Sequence, residues 1–173
     1  TVEIRGDIAS GLMVSRGRLL IGDHTSVPTV RADALLQHEV GTHMLTYYNG
    51  RAQRMRQLYV GLPGYSALQE GLAVLAEYLV GGLSPSRLRT LAARVVGVDS
   101  MLTGASFVET FETLHTEYKM PHRTAFIVTA RIYRGGGLTK DAVYLRGVIA
   151  LMDYLQAGHT LEPLFVGKIA EDH

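Results

Sequence analysis

His38 and His43 lie five residues apart in the stretch His38-Glu39-Val40-Gly41-Thr42-His43, and that interval constrains the fold more than any other feature. An α-helix advances roughly 100° per residue, so positions i and i+4 differ by roughly 40° whereas i and i+5 differ by roughly 140°. On a straight helix the two imidazoles face apart. A wide turn with i→i+5 bonding absorbs the extra residue, and such π-bulges appear mostly at functional sites. Gly41 lies inside the interval, where a residue without a Cβ tolerates unusual backbone angles. The stretch therefore reads as one helix carrying a one-residue bulge. Two histidines, an acid beside the first, and Glu70 in the later run Gln69-Glu70-Gly71-Leu72-Ala73 are the parts of a hydrolytic zinc site. Zinc takes imidazole nitrogen and carboxylate oxygen, and a catalytic site keeps three protein ligands plus a water. Metallopeptidases of the H-E-x-x-H type seat both histidines on one helix face with the glutamate as general base; this chain has one residue more. The hexapeptide alone leaves open a plain helix with two unrelated histidines.

Ser66-Ala67-Leu68-Gln69 has the form of a capping box, with Ser66 as N-cap and Gln69 reaching back to its amide. Leu68, Leu72, Leu75 and Leu79 then mark an apolar stripe at helical spacing, ended by Gly81-Gly82. Glu70 falls in the first turn. There it can lie beside an active-site helix, or it can simply complement the helix dipole for ~0.3–1 kcal/mol.

The rest of the chain reads as a short β portion followed by helices. Residues 2–5, 12–15 and 18–21 are strand-like, with Arg16-Gly17 as a hairpin turn. A first helix is expected from Thr29 or Val30 to Asn49-Gly50, and a loop at Gly61-Leu62-Pro63-Gly64 precedes the glutamate helix. Ser84-Pro85 opens the next helix, with Pro where its missing N–H is harmless. Ser106-Phe107-Val108-Glu109 is a capping box for a helix to about Tyr118, and Pro121 begins another running to Tyr133. Thr139 is expected to cap a long helix through Ala157, closed by Gly158. The expected fold is a mostly helical α+β single domain over residues 1–173.

A chain of 173 residues with 47% hydrophobic content can bury a sizeable core. Its formal net charge of +1 gives no case for a nucleic-acid partner, which needs a clustered basic footprint. There is no cysteine, which excludes disulfides and thiolate metal sites and suits the reducing cytoplasm, the expected location. The apolar stretch 143–155 is broken by Arg146 and Asp153 and falls short of a membrane span, so no membrane partner is expected. No secretory leader opens the chain. It begins at Thr1 without a methionine and is expected to be a piece of a longer protein.

Together, H-E-V-G-T-H at 38–43 and Q-E-G-L-A at 69–73 resemble the bacterial flavohaemoglobin expression-modulating QEGLA-motif family. That family is similar to the microtubule-associated tyrosine carboxypeptidases, which use an atypical H-E-x-x-x-H zinc motif. Segments 10–19 and 131–141 also resemble family sequence. The resemblance implies a zincin-like metallopeptidase domain with Zn2+ as cofactor, His38, His43 and Glu70 on the ligand positions, and Glu39 as general base. The family label records an expression phenotype, so the substrate stays open.

Ligand histidines need partners for their second ring nitrogens. Asp33 and Glu77 are candidates, although both also fit the ordinary exposed surface. Strand 18–21 can offer its edge to an extended peptide, or it can be paired inside the sheet. An enzyme that removes C-terminal residues must hold a free carboxylate, which Arg does bidentately. Arg131, Arg134, Lys140 and Arg146 face a single acid, Asp141, around the run Gly135-Gly136-Gly137, which would let backbone approach a ligand closely. Tyr133 or Tyr144 is a candidate oxyanion donor. The alternative is a solvated basic turn. His24, His115, His122, His159 and His173 show no ligand spacing. The favoured function is a zinc metallopeptidase, a carboxypeptidase acting on a peptide or protein C-terminal tail. Its alternatives are a zinc-binding regulatory protein without peptidase activity and a metal-free helical scaffold.

Overall fold

The structure is a computed structural model, and it describes residues 1–8, 11–134 and 138–173. Ser10 and the run Gly135 to Gly137 lie outside the described residues, as does the side chain of Thr139, so the expectations placed on them are not addressed. Chain contacts divide the fold into two compact units, residues 1–83 with 146–173, and residues 84–145. Among the described residues no helix is long and apolar enough to cross a membrane.

The first unit opens with strands β1 (Val2–Arg5), β2 (Leu12–Ser15) and β3 (Arg18–Gly22) in the order β1-β3-β2. The hairpin forms where expected. Arg16 and Gly17 both take positive φ, 50° and 75°, which matches the primed turns that follow strand twist. β3 pairs with β1 on one side and β2 on the other. That overturns the expectation that residues 18–21 offer a free edge, because the parallel partner comes from the chain's first residues.

Three segments then form one continuous helical run: α1 (Thr29–Leu36), a π-helical segment (Gln37–Met44) and α2 (Leu45–Ala52). The run does not stop at Asn49-Gly50. Gly50 is helical and buried, and a Cβ there would overlap the Leu58 carbonyl as α3 (Gln57–Val60) packs alongside. Helix α4 (Tyr65–Leu79) starts from Gly64 at φ 80° and has no side-chain cap. The Ser66 capping box is therefore absent, because the Gln69 side chain is buried and turned toward Thr46 instead.

Leu68 and Leu72 of α4 pack with Leu151 of α8 (Val143–Gln156), and with Leu164 and Ile169. The two helices cross through glycines. A Cβ on Gly71 would strike the Gly147 backbone, and one on Gly147 would overlap the Ala67 carbonyl. This explains the glycine of Gln69-Glu70-Gly71 in packing terms.

The second unit holds α5 (Pro85–Leu102), α6 (Phe107–Glu112), a second π-helical segment (Thr113–Glu117) and α7 (His122–Tyr133). Its core is Ala93, Val98, Leu114, Met120, Ala125, Val128 and Ile132. Both expected starts are present, Ser84 accepting from the Arg87 amide and Ser106 with Glu109 forming the reciprocal capping box. The long final helix begins later than expected. Residues Leu138–Ala142 form a tighter 3-10 turn, and α-helical bonding starts at Val143.

Gly147→Ala is expected to destabilise the protein by about 1–3 kcal/mol, the usual cost of overpacking, because its methyl group meets backbone that cannot rotate away. Chemical denaturation of the two proteins checks this; equal midpoints would contradict the close crossing.

Candidate metal centre

The π-helical segment closes the angular gap between the histidines. The Leu45 amide bonds to the Val40 carbonyl, an i→i−5 link, and the Thr42 hydroxyl donates to the Gln37 carbonyl across the same interval. Gly41 keeps a negative φ, so the expectation that it supplies an unusual backbone angle is not met. The distortion is spread over the eight residues Gln37–Met44, and no single residue has to leave the helical region. The imidazoles of His38 and His43 end with centroids 5.1 Å apart and planes at 80°.

Helix α4 brings the third group. Glu70 Oε2 stands 3.5 Å from His38 Nε2 and 3.6 Å from His43 Nε2. One ligand atom from each of the three residues falls within 4.8 Å of the others. Those spacings suit a cation: bonds of about 2.0–2.2 Å in a tetrahedron put neighbouring ligand atoms about 3.3–3.6 Å apart. His38 and Glu70 are 7% and 8% exposed, so the donors are already withdrawn from water.

The ring nitrogens are sorted by their partners. His38 Nδ1 donates to Glu77 Oε1 at 2.9 Å, as it must toward a carboxylate, which only accepts. Glu77 is 0% exposed and buried, not the surface acid the alternative expected. Asp33 is exposed and takes no part. His43 Nδ1 faces Gln69 Oε1 at 3.5 Å, and that oxygen also lies 2.8 Å from the Thr46 hydroxyl. Both Nδ1 atoms thus face acceptors, and both Nε2 atoms are aimed at Glu70. Thr46 was not singled out in the sequence, and Gln69 was read only as closing a capping box, because these roles depend on two helices meeting.

The charges follow from this geometry. Burial disfavours the cationic form of His38, but Glu70 and Glu77 outweigh it and hold His38 up at about 9. Burial also pushes Glu70 up, yet His38 and His43 reverse that and keep it well below the ordinary carboxylate range. Glu39, next to His38, is raised chiefly by burial, with His43, His38 and the backbone of Val14 on β2 pulling it back. A carboxyl raised in this way moves toward the working pH of a general base.

Most of the remaining candidates belong to the second unit. Arg131 Nε donates to Asp141 Oδ1 at 2.6 Å, and Arg94 of α5, not foreseen from the sequence, stands 3.9 Å from the same oxygen. The Arg94 guanidinium lies over the ring of Tyr144, 5.2 Å from its centroid. Asp141 is buried, so this part of the segment is an ion-paired cluster and not a solvated turn. Arg134 and Lys140 are exposed in the second unit, and Arg146 is exposed in the first. The Tyr133 hydroxyl donates to the Ala105 carbonyl at 2.5 Å, which commits it to packing and removes it as an oxyanion donor. His115 is bonded to the Met120 carbonyl, and His159 stacks on Tyr154.

Two imidazoles and a carboxylate so placed, with Glu39 next to His38, form a group that could hold a metal ion. The family model described as microtubule-associated tyrosine carboxypeptidase matches residues 1–173, and the chain belongs to that family of carboxypeptidases. No curated protein and no solved structure matches the chain.

Metal binding must displace the His38 proton. Zinc affinity of the metal-free protein is expected to rise about tenfold per pH unit up to the His38 value and flatten above it. The raised pKa stabilises the metal-free fold fully below 6.5, and that contribution is lost as pH rises through about 9. Thermal melting across this range should show the metal-free protein weakening; zinc affinity independent of pH would contradict the assignment.

Proposed function

We propose that this protein is a zinc-dependent carboxypeptidase that shortens the C-terminal tail of a peptide or protein in the cytoplasm. The observation that carries the reading is the triangle of His38, His43 and Glu70 with Glu39 beside it, in a chain of the tyrosine carboxypeptidase family. When bound, zinc supplies Lewis acidity that activates water and polarises the scissile carbonyl. His38, His43 and Glu70 would hold it. Glu39 accepts the proton of the attacking water and delivers it to the departing nitrogen. The backbone of Val14 on β2, an outer strand of the sheet, is among the groups that lower the Glu39 carboxyl, which supports β2 as the edge a substrate would meet. An extended peptide can add to such an edge by main-chain bonding.

Arg146, exposed in the same unit as the metal centre, is the group proposed to hold the tail's terminal carboxylate. The family name specifies tyrosine, so peptides ending in tyrosine are the first substrates to test.

Glu39→Gln is expected to keep zinc and lose about 10²–10⁴-fold in turnover, the usual worth of a general base. Amidating the substrate's C-terminus is expected to abolish most cleavage, because a charged group in the site loses its partner. Peptide hydrolysis and metal analysis on the same preparations check both. Equal cleavage of amidated and free peptides would indicate an endopeptidase. Zinc binding with no hydrolysis of any peptide would leave a regulatory zinc protein.

A further inference from the structure

We propose that Arg31 is a positioning residue for the metal centre, acting on His38 through the buried carboxylate of Glu77. The inference rests on the zinc reading above and extends it to a residue outside both motifs. Arg31 opens the helical run two turns before His38, and its guanidinium divides between two acceptors at the end of α4. One NH2 group donates to Glu77 Oε2 at 2.9 Å, and the other donates to the Gly82 carbonyl. Glu77's second oxygen takes the His38 Nδ1–H at 2.9 Å. A single carboxylate therefore links the guanidinium to the ligand ring, one oxygen to each.

Burial gives this link its weight. Glu77 is 0% exposed, and a buried carboxylate is tolerated only when paired and hydrogen-bonded. The guanidinium fork is planar and fixes the carboxylate's orientation in a way a point charge does not. With the carboxylate so held, His38 is turned to present Nε2 toward Glu70 and His43.

The backbone around Arg31 is shaped for the same contact. The Gly82 amide bonds back to the Glu77 carbonyl at 2.7 Å, and a Cβ on Gly82 would overlap Ala34 of α1. The turn after α4 and the helix carrying Arg31 approach at a distance only glycine permits. Arg31 also lines an open groove of about 280 Å³ with Leu12, Val27, Pro28 and Leu35. A shorter side chain at 31 therefore meets solvent rather than a closed cavity. His43 is supported differently, by the neutral amide of Gln69. The two ligand histidines thus have one ionic and one neutral outer partner.

The test is a double-mutant cycle read as zinc affinity, by competition with a chromophoric chelator. The variants are Arg31→Met, Glu77→Gln and the pair, alongside Arg31→Lys. Each single change is expected to weaken zinc binding about 10–100-fold, the usual effect of losing an outer-shell partner. The pair is expected to be no weaker than the worse single variant, because Arg31 has nothing to orient once Glu77 is neutral. Lys at 31 keeps the charge and should recover part of the loss. If Arg31→Met does not fold by circular dichroism, Arg31→Gln, which retains a donor, runs the same cycle. Additive losses, or unchanged affinity without Arg31, would overturn the proposal while leaving the metal site standing. A wild-type protein that binds no zinc would overturn both.

Discussion

A cation shared by two side chains requires both on one side of their helix, and an interval of five residues puts them on opposite sides. The π-helical segment Gln37–Met44 resolves that conflict, and the site depends on it. It turns His43 back toward His38, leaves Glu39 facing the Val14 backbone, and sets Thr42 and Thr46 inward, both fully buried. Helix α4 then needs only regular geometry. Glu70 and Glu77 are seven apart and differ by roughly 20° in direction, so one face supplies both carboxylates that meet His38. The close crossing at Gly71 and Gly147 presses that helix against its neighbour, while Glu70 and Glu77 point roughly 100–120° away from Gly71, toward His38.

Charge alternates outward from the centre: Glu70, His38, Glu77, Arg31. Each member is paired with one of opposite sign, and this is how four ionisable groups can sit in a mostly dry interior. A divalent cation would take the place of the His38 proton between Glu70 and the ring. The same donors therefore serve the metal-free and the metal-bound protein, with opposite dependence on pH.

The features legible in the sequence are those with local causes. The hairpin followed from a turn whose residues accept positive φ, and the caps at Ser84 and Ser106 followed from hydroxyls three residues before an amide. The π-helical segment at 37–44 was legible only through chemistry, because two imidazoles five apart can share an ion only if the helix widens or unwinds between them. A second π-helical segment, Thr113–Glu117, carries no such chemistry and gave no signal. Ser66 offered the same local cue as Ser106, but a distant demand on Gln69 overrode it. Glu77 was a candidate partner that fitted the exposed surface as well, because its partners come from α1 and the π-helical segment, 46 and 39 residues away. Arg94 escaped notice for the same reason, since the acid beside it lies in a later turn.

The central claim is that both histidines and Glu70 ligate one ion despite the five-residue interval. X-ray absorption at the zinc edge of the stoichiometrically loaded protein tests it most directly. The account predicts a first shell of nitrogen and oxygen at about 2.0–2.2 Å with the outer-shell scattering of two imidazoles. A shell with one imidazole, or with none, would contradict it.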